Sequence, residues 1–137
     1  MVGIIGFNLR KIEVERSPEI KGKISIRNDV KFIDVQRADL FLGKAKQEGL
    51  RFSFEYTSIY EPKAGKILLS GDVLAVDEAD KVKEVVDNWK KSKKVSKEVM
   101  APVLNSILSK CSIQAILLTK EVNLPSPVPL PKVQVKD

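Results

Sequence analysis

The sequence contains no histidine and a single cysteine, Cys111. Without histidine the chain has no imidazole base to activate a serine or cysteine nucleophile, and no histidine ligand for zinc. One cysteine allows neither an internal disulfide nor a cysteine-ligated zinc or iron–sulfur site. These absences exclude the commonest catalytic and metal centres, and the lack of a disulfide framework predicts a cytoplasmic protein.

Phosphate-binding loops are missing as well. The seven glycines never take the spacing of a P-loop or of a dinucleotide fingerprint. The acidic residues are scattered, with no pair placed like that of a glycosidase or a metal site. Cys111 lies on an apolar helical stripe, where a free cysteine is expected to act as a small buried hydrophobe. We therefore predict that the protein is not an enzyme and uses no cofactor or metal.

No long hydrophobic run marks a signal or a membrane span. The N-terminus has no basic stretch and no small-residue cleavage site. The most apolar stretch, residues 99–118, is interrupted by polar side chains such as Asn105 and Lys110, whereas a spanning helix needs about 20 mostly apolar residues. We interpret this stretch as part of a core and expect no membrane insertion.

The first half of the chain alternates apolar and polar residues, a period typical of antiparallel strands. The clearest run is residues 50–56. An earlier run starts at residue 24 and changes phase near Phe32, which predicts a β-bulge there. A later run, residues 67–76, contains Gly71 as a second expected bulge. A first strand is predicted at residues 7–14, and a short separate strand is considered at residues 38–42.

After Asp77 the apolar period changes to 3.6 residues, which predicts helices. The first has the stripe Val82, Val85, Val86 and Trp89, with Asp77 or Asp80 as its N-cap. The second begins after Ser96, or nearer Ala101 if Pro102 interrupts it. Strands followed by helices predict an α+β fold, an antiparallel sheet of about four strands with two C-terminal helices on one face.

Prolines at every second position follow the second helix, between Pro125 and Pro131. Such spacing forbids a helix and favours an extended segment. We predict one α+β domain over residues 1–123 and an extended Pro-rich tail over residues 124–137. The tail is expected to dock across the domain as a strap, with Val128, Leu130 and Val133 inserted.

Two sets of apolar residues are candidates for binding protein or unfolded polypeptide. The aromatic residues Phe52, Phe54, Tyr56 and Tyr60 form either the core beneath the helices or a groove for an extended chain. Ile113, Ile116 and Leu117 lie off the main stripe of the second helix and make it apolar on more than one side. Either the first helix and the tail cover them, or a second copy does in a homo-oligomer.

The net charge of +6 and the pI near 9.4 come mostly from lysine. One run stands next to Trp89 at the junction of the two helices and consists of Lys90, Lys91, Lys93, Lys94 and Lys97. Clustered lysines neutralise phosphates and an adjacent aromatic ring stacks on bases, which favours binding to RNA or the ribosome. A lysine run also complements a helix C-terminus, and Trp89 continues an apolar stripe, so a structural role is the alternative.

The order of elements resembles that of the SecB export-chaperone family. The similarity covers the strands at residues 51–60 and 66–76, the helix at residues 100–122 and the segment Asn123-Leu124-Pro125-Ser126-Pro127-Val128. It implies a four-stranded antiparallel sheet packed by helices, oligomerisation and a groove for unfolded polypeptide. We therefore expect a non-catalytic, chaperone-like polypeptide-binding oligomer, with RNA binding or ribosome association through the lysine run as the alternative function.

Overall fold

The computed structural model describes residues 3–20, 22–42 and 45–127. Within them the chain forms four strands followed by two helices: β1 Gly3–Arg16, β2 Ser25–Leu42, β3 Ala45–Glu61, β4 Gly65–Val76, α1 Ala79–Ser92 and α2 Lys97–Val122. The strands build one sheet in the order β1-β4-β3-β2, and every neighbouring pair is antiparallel. The predicted α+β class is confirmed.

Alternation along the central strands separates a covered face of the sheet from an open one. On β3 the covered face carries Leu50, Phe52, Phe54, Tyr56, Ser58 and Tyr60, all buried. The helices pack on this face, with α2 against β1 and β4 and α1 against β2 and β3. Between sheet and helices lies one apolar core, to which Val82, Val85 and Trp89 contribute from α1.

The strands are longer than the sequence predicts. The first begins at Gly3, and residues 38–42 belong to β2 rather than to a separate strand. The phase change near Phe32 is a register shift between Phe32 and Asp34, as predicted. The bulge expected at Gly71 lies on the facing strand instead, between Leu9 and Lys11, because the backbone of β1 passes close to Gly71 there.

The helix ends also differ in detail from the prediction. Glu78 occupies the N-cap position of α1 and no side chain caps the helix; the Asp77 carboxylate accepts a hydrogen bond from the Glu78 backbone N–H at 2.8 Å. α2 starts directly after Ser96 and continues through Pro102. Val99 and Val103 are buried in the core on either side of the proline, so packing compensates for the hydrogen bond that Pro102 cannot donate.

A second, smaller cluster closes the end of the sheet beyond the helices. Tyr60, Ala64 and Leu124 are buried in it, with Ile24 and Ile26 packed against them. Residues 124–127, called the strap below, are extended rather than helical and lie over this end of the sheet. Docking of the tail is thus seen for these residues, while Val128, Leu130 and Val133 lie outside the described residues.

Candidate protein-binding surfaces

The aromatic residues of β3 do not form a surface groove. Phe52, Phe54, Tyr56 and Tyr60 are each at most 1% exposed. The ring centroid of Phe52 lies 5.8 Å from that of Phe32 on the neighbouring β2, and the centroid of Phe54 lies 5.4 Å from that of Phe7 on β1, beyond β4. The groove prediction is corrected to the alternative, since all four residues are core: the helices cover Phe52, Phe54 and Tyr56, and Leu124 with the strap covers Tyr60.

α2 presents apolar residues on two opposite sides. A stripe spaced by four residues faces the sheet and is buried: Val99, Val103, Ile107, Cys111, Ala115 and Thr119. On the other side, Ile113 is 60% exposed and Leu117 is 52% exposed. Ile116 lies beside them and is partly exposed. Together Ile113, Ile116 and Leu117 form a contiguous patch, called the α2 outer face below.

The α2 outer face differs from the other exposed apolar positions of the described residues. Ile113 and Leu117 are four residues apart on one helix, so their side chains are neighbours on its surface. Leu108, 42% exposed, lies on α2 five residues before Ile113, and Ile5, Ile12 and Ile33 are exposed singly on edge strands. Neither α1 nor residues 124–127 cover this patch. The prediction that the second helix is apolar on more than one side is therefore matched by the structure, and a cover supplied by α1 is not.

The apolar composition of α2 also bears on whether this helix could cross a membrane. Among the helices of the described chain, α2 is the one whose length and hydropathy would suffice for a membrane span. Core helices meet the same criterion, and the stripe from Val99 to Thr119 packs against the sheet.

The predicted lysine run lies at the end of α1 and the start of α2. Lys90, Lys91, Lys93, Lys94 and Lys97 are all exposed. None of these five lysines forms a salt bridge with another described residue. We call them the lysine patch. The reversal of the chain at Lys93, whose φ is 57°, brings both halves of the patch to one corner of the molecule.

Trp89 is not available to stack on a base. Its side chain is 6% exposed and belongs to the core. The Lys93 Nζ lies 5.3 Å from the centroid of its ring, in a cation–π contact. The stacking role predicted for Trp89 is corrected, because α1 turns its apolar stripe, and Trp89 with it, toward the sheet.

Two features bear on catalysis: the buried Cys111 and a cavity between the two helices. Burial raises the pKa of the Cys111 thiol to about 12 and keeps it protonated at neutral pH. The cavity between α1 and α2 has a volume of about 290 Å³ and an apolar floor that includes Val85 and Val99. At its rim, Lys81 and Glu84 form an ion pair at 3.8 Å with side chains 48% and 58% exposed. Asp77, Ser96 and Glu98 also line this cavity, so carboxyl groups that are scattered in the sequence lie near one another here.

A polar cluster that joins the buried Ser58 to the exposed Asn28 lies against the strap. Ser58, fully buried, has its Oγ 2.7 Å from the Asn28 Oδ1 and 3.2 Å from the Tyr56 hydroxyl. The Asn28 side-chain amide donates to the Pro127 carbonyl at 2.9 Å, and the Tyr60 hydroxyl donates to the Pro125 carbonyl at 2.6 Å. The sequence carried one signal for it: Asn28 and Ser58 are polar at positions where the strand alternation calls for apolar residues.

Comparison with known proteins supplies no relative: no family model, curated protein or solved structure matches the chain. The resemblance to the SecB family therefore rests on the order of elements. Function has to be argued from the surfaces described above.

Proposed function

We propose that the chain is a non-catalytic polypeptide-binding protein that acts as a homo-oligomer. The observation that supports this proposal best is the α2 outer face, where Ile113 and Leu117 are more than half exposed side by side. A chaperone-like role of the SecB type is part of the same proposal.

The energetics favour a partner for this surface. Burying one Ile or Leu side chain stabilises a contact by about 1.5–3 kcal/mol relative to leaving it in water. The patch is flanked by Lys110 and Lys120, both exposed. An apolar centre with a charged rim is the usual arrangement of an interface. A second copy presents the same patch and can bury it by two-fold symmetry, and an unfolded chain presents apolar segments of the same kind.

Reversing the chemistry of the α2 outer face tests this function. In the double variant Ile113→Lys and Leu117→Lys, we expect the native mass to fall to the 15.3 kDa of one chain. We also expect affinity for an unfolded, fluorescently labelled protein to fall at least about tenfold, since two buried apolar contacts are lost. Light scattering and fluorescence anisotropy measure the two effects.

Ile33→Lys is the matched control. Ile33 is 51% exposed, close to the exposure of Leu117, and lies on β2 away from α2. It should change neither mass nor affinity. The proposal is rejected if the unaltered protein is a monomer that binds neither unfolded protein nor an apolar dye.

A second candidate function is RNA binding or ribosome association. It is favoured by the lysine patch, whose five ammonium groups are exposed and form no ion pair within the described residues. A cation that is not already neutralised is free to replace the counterions of a phosphate. With Trp89 buried, binding would rest on phosphate contacts and would show little sequence preference.

Charge reversal tests the RNA candidate. The variant with Lys90, Lys91, Lys93 and Lys94 changed to Glu should lose single-stranded RNA binding. In the unaltered protein, the logarithm of the binding constant should fall linearly with the logarithm of the salt concentration. The slope should be about −0.7 per phosphate contacted, or roughly −3 for four lysines. Filter binding across a salt series gives both numbers. Reversing the exposed lysines Lys23, Lys31, Lys63 and Lys66 imposes the same change in net charge, so equal losses in both variants would contradict a role for the patch.

A further inference from the structure

We propose that the end of the sheet under the strap is a binding site for an extended, proline-rich polypeptide segment, which the chain fills with its own residues 124–127. The site consists of Asn28, Ser58, Tyr60 and Gly65 and is called the cradle below. This inference rests on the proposed polypeptide-binding function and adds to it a second site with a defined ligand chemistry.

The cradle recognises main-chain carbonyl groups. Tyr60 on β3 donates to the carbonyl of Pro125, and Asn28 on β2 donates to that of Pro127. The two accepting residues are two apart, the interval at which an extended chain repeats its orientation. Because the donors are side chains of adjacent strands, the sheet itself sets their separation.

Toward the strap the cradle presents hydrogen-bond donors, the Asn28 amide and the Tyr60 hydroxyl, and this suits a proline-rich ligand. Proline has a carbonyl group and no N–H, so at both positions the strap offers acceptors and leaves no donor unsatisfied. A segment with proline at these two positions is also extended before it binds, which lowers the entropy lost on binding. The difference matters most at Pro127, which is buried, whereas Pro125 is exposed to water. An ordinary residue at position 127 would bring an N–H group for which no acceptor is among the contacts seen with the strap.

One apolar side chain fixes the register of the segment. Leu124 is 7% exposed and packs with Tyr60 and Ala64. A Cβ added at Gly65 would lie 2.7 Å from the Glu15 carbonyl oxygen of β1 and 3.0 Å from the Leu124 Cδ1, so the glycine makes room for both the neighbouring strand and this leucine. The cradle thus selects the pattern Leu-Pro-x-Pro. The leucine packs against Tyr60 and Ala64, and the two proline carbonyls accept hydrogen bonds from Tyr60 and Asn28.

The cradle has the properties of a site built for an occupant. Tyr60 and Ser58 are both 0% exposed with the strap in place. The Tyr60 hydroxyl has the Pro125 carbonyl as its acceptor. Burial raises the pKa of Tyr60 to about 12, so it remains a donor at neutral pH. Removing the segment would expose the Tyr60 ring to water, so replacement by another segment that covers the ring and accepts its hydrogen bond is favoured over an empty site.

The strap competes with any external ligand. It follows the C-cap of α2, Asn123, without a linker, and a tethered ligand has an effective concentration in the millimolar range. A free peptide will therefore bind weakly until the strap is loosened. The test therefore compares peptide binding before and after a substitution that weakens the strap.

The test uses the full chain and a labelled peptide, Leu-Pro-Ser-Pro-Val-Pro-Leu, blocked at both ends, with binding followed by fluorescence anisotropy. Leu124→Ser weakens the strap and leaves the cradle intact, so peptide affinity should rise at least tenfold. Adding Tyr60→Phe, which removes one donor and keeps the ring, should reverse that gain at least tenfold. A peptide with alanine in place of the prolines should bind at least fivefold more weakly.

Two controls keep the result specific. Leu108→Ser changes an exposed leucine of α2 and should leave peptide affinity at the level of the unaltered protein. The Ile113→Lys and Leu117→Lys variant should bind the peptide normally after Leu124→Ser, so failure of the α2 outer face is distinguishable from failure of the cradle. If Leu124→Ser does not fold, Leu124→Ala takes its place. Equal affinity with and without the Leu124 change, or no effect of Tyr60→Phe, overturns the proposal.

Discussion

Replacing Phe52 by alanine should lower the free energy of unfolding by about 3–5 kcal/mol, the range for deleting a buried aromatic side chain. Phe52 is fully buried, pairs with Val35 on β2 and with Val73 on β4, and contacts the ring of Phe32. Its removal leaves a cavity in the core between the sheet and the helices, and the backbone of β3, which is held by strands on both sides, cannot collapse to fill it.

Urea unfolding followed by circular dichroism measures this loss. Ile33→Ala is the control, since Ile33 is 51% exposed and an exposed substitution changes stability by about 0.5 kcal/mol or less. The comparison separates the two roles that the sequence leaves open for the aromatic strand. A groove residue would behave like Ile33, so similar losses at both positions would contradict the assignment of Phe52 to the core.

The fold was predictable because its main signals are local. Strict alternation over residues 50–56 and a 3.6-residue stripe from Val82 to Trp89 identify the strand and the helix without tertiary information. The order of these elements then favours an α+β architecture. Even the bulge near Phe32 is visible, since one extra residue shifts the apolar phase of β2.

The contact surfaces were harder to predict, since they depend on how far one element covers another. Alternation shows that Phe52 and Tyr60 share a face, yet it does not reveal whether the helices are broad enough to bury it. Trp89 shows the same difficulty, because its neighbours in sequence are lysines while its neighbours in space are core residues. The exposed apolar side of α2 was predictable, because Ile113, Ile116 and Leu117 lie off the apolar stripe of their own helix; that this side binds a partner stays a prediction.

The cradle could not be predicted, because its hydrogen bonds join residues far apart in the chain. Asn28 and Pro127 are 99 positions apart, and Tyr60 and Pro125 are 65 apart. The proline spacing of the tail indicates an extended segment and says nothing about where it docks. A polar residue at an apolar strand position marks a place where the covered face needs a hydrogen-bonding partner, as at the buried Ser58, whose Oγ lies 2.7 Å from the Oδ1 of the exposed Asn28.

Gly71→Ala should also have a large effect, lowering the free energy of unfolding by about 3 kcal/mol, the upper end of the range for overpacking a core. Gly71 pairs with Leu9 across the β1–β4 ladder. A Cβ at this position would lie 2.0 Å from the Asn8 carbonyl oxygen and 2.8 Å from the Leu9 Cα. Both atoms belong to backbone, so no side-chain rotation relieves the clash and β1 must move away from β4.

Gly6→Ala is the matched control on the same pair of strands. A Cβ at Gly6 would meet the Leu74 side chain at 3.4 Å, which a small rotation accommodates. Alanine is also favoured over glycine inside a strand by about 0.5–1 kcal/mol. Gly6→Ala should therefore be neutral or slightly stabilising, and hydrogen exchange should show that Gly71→Ala alone exposes the amides of β1. Because α2 packs against β1, loss of this strand would also loosen α2. Equal stability of the two variants would show that β1 does not approach β4 at Gly71 as closely as described.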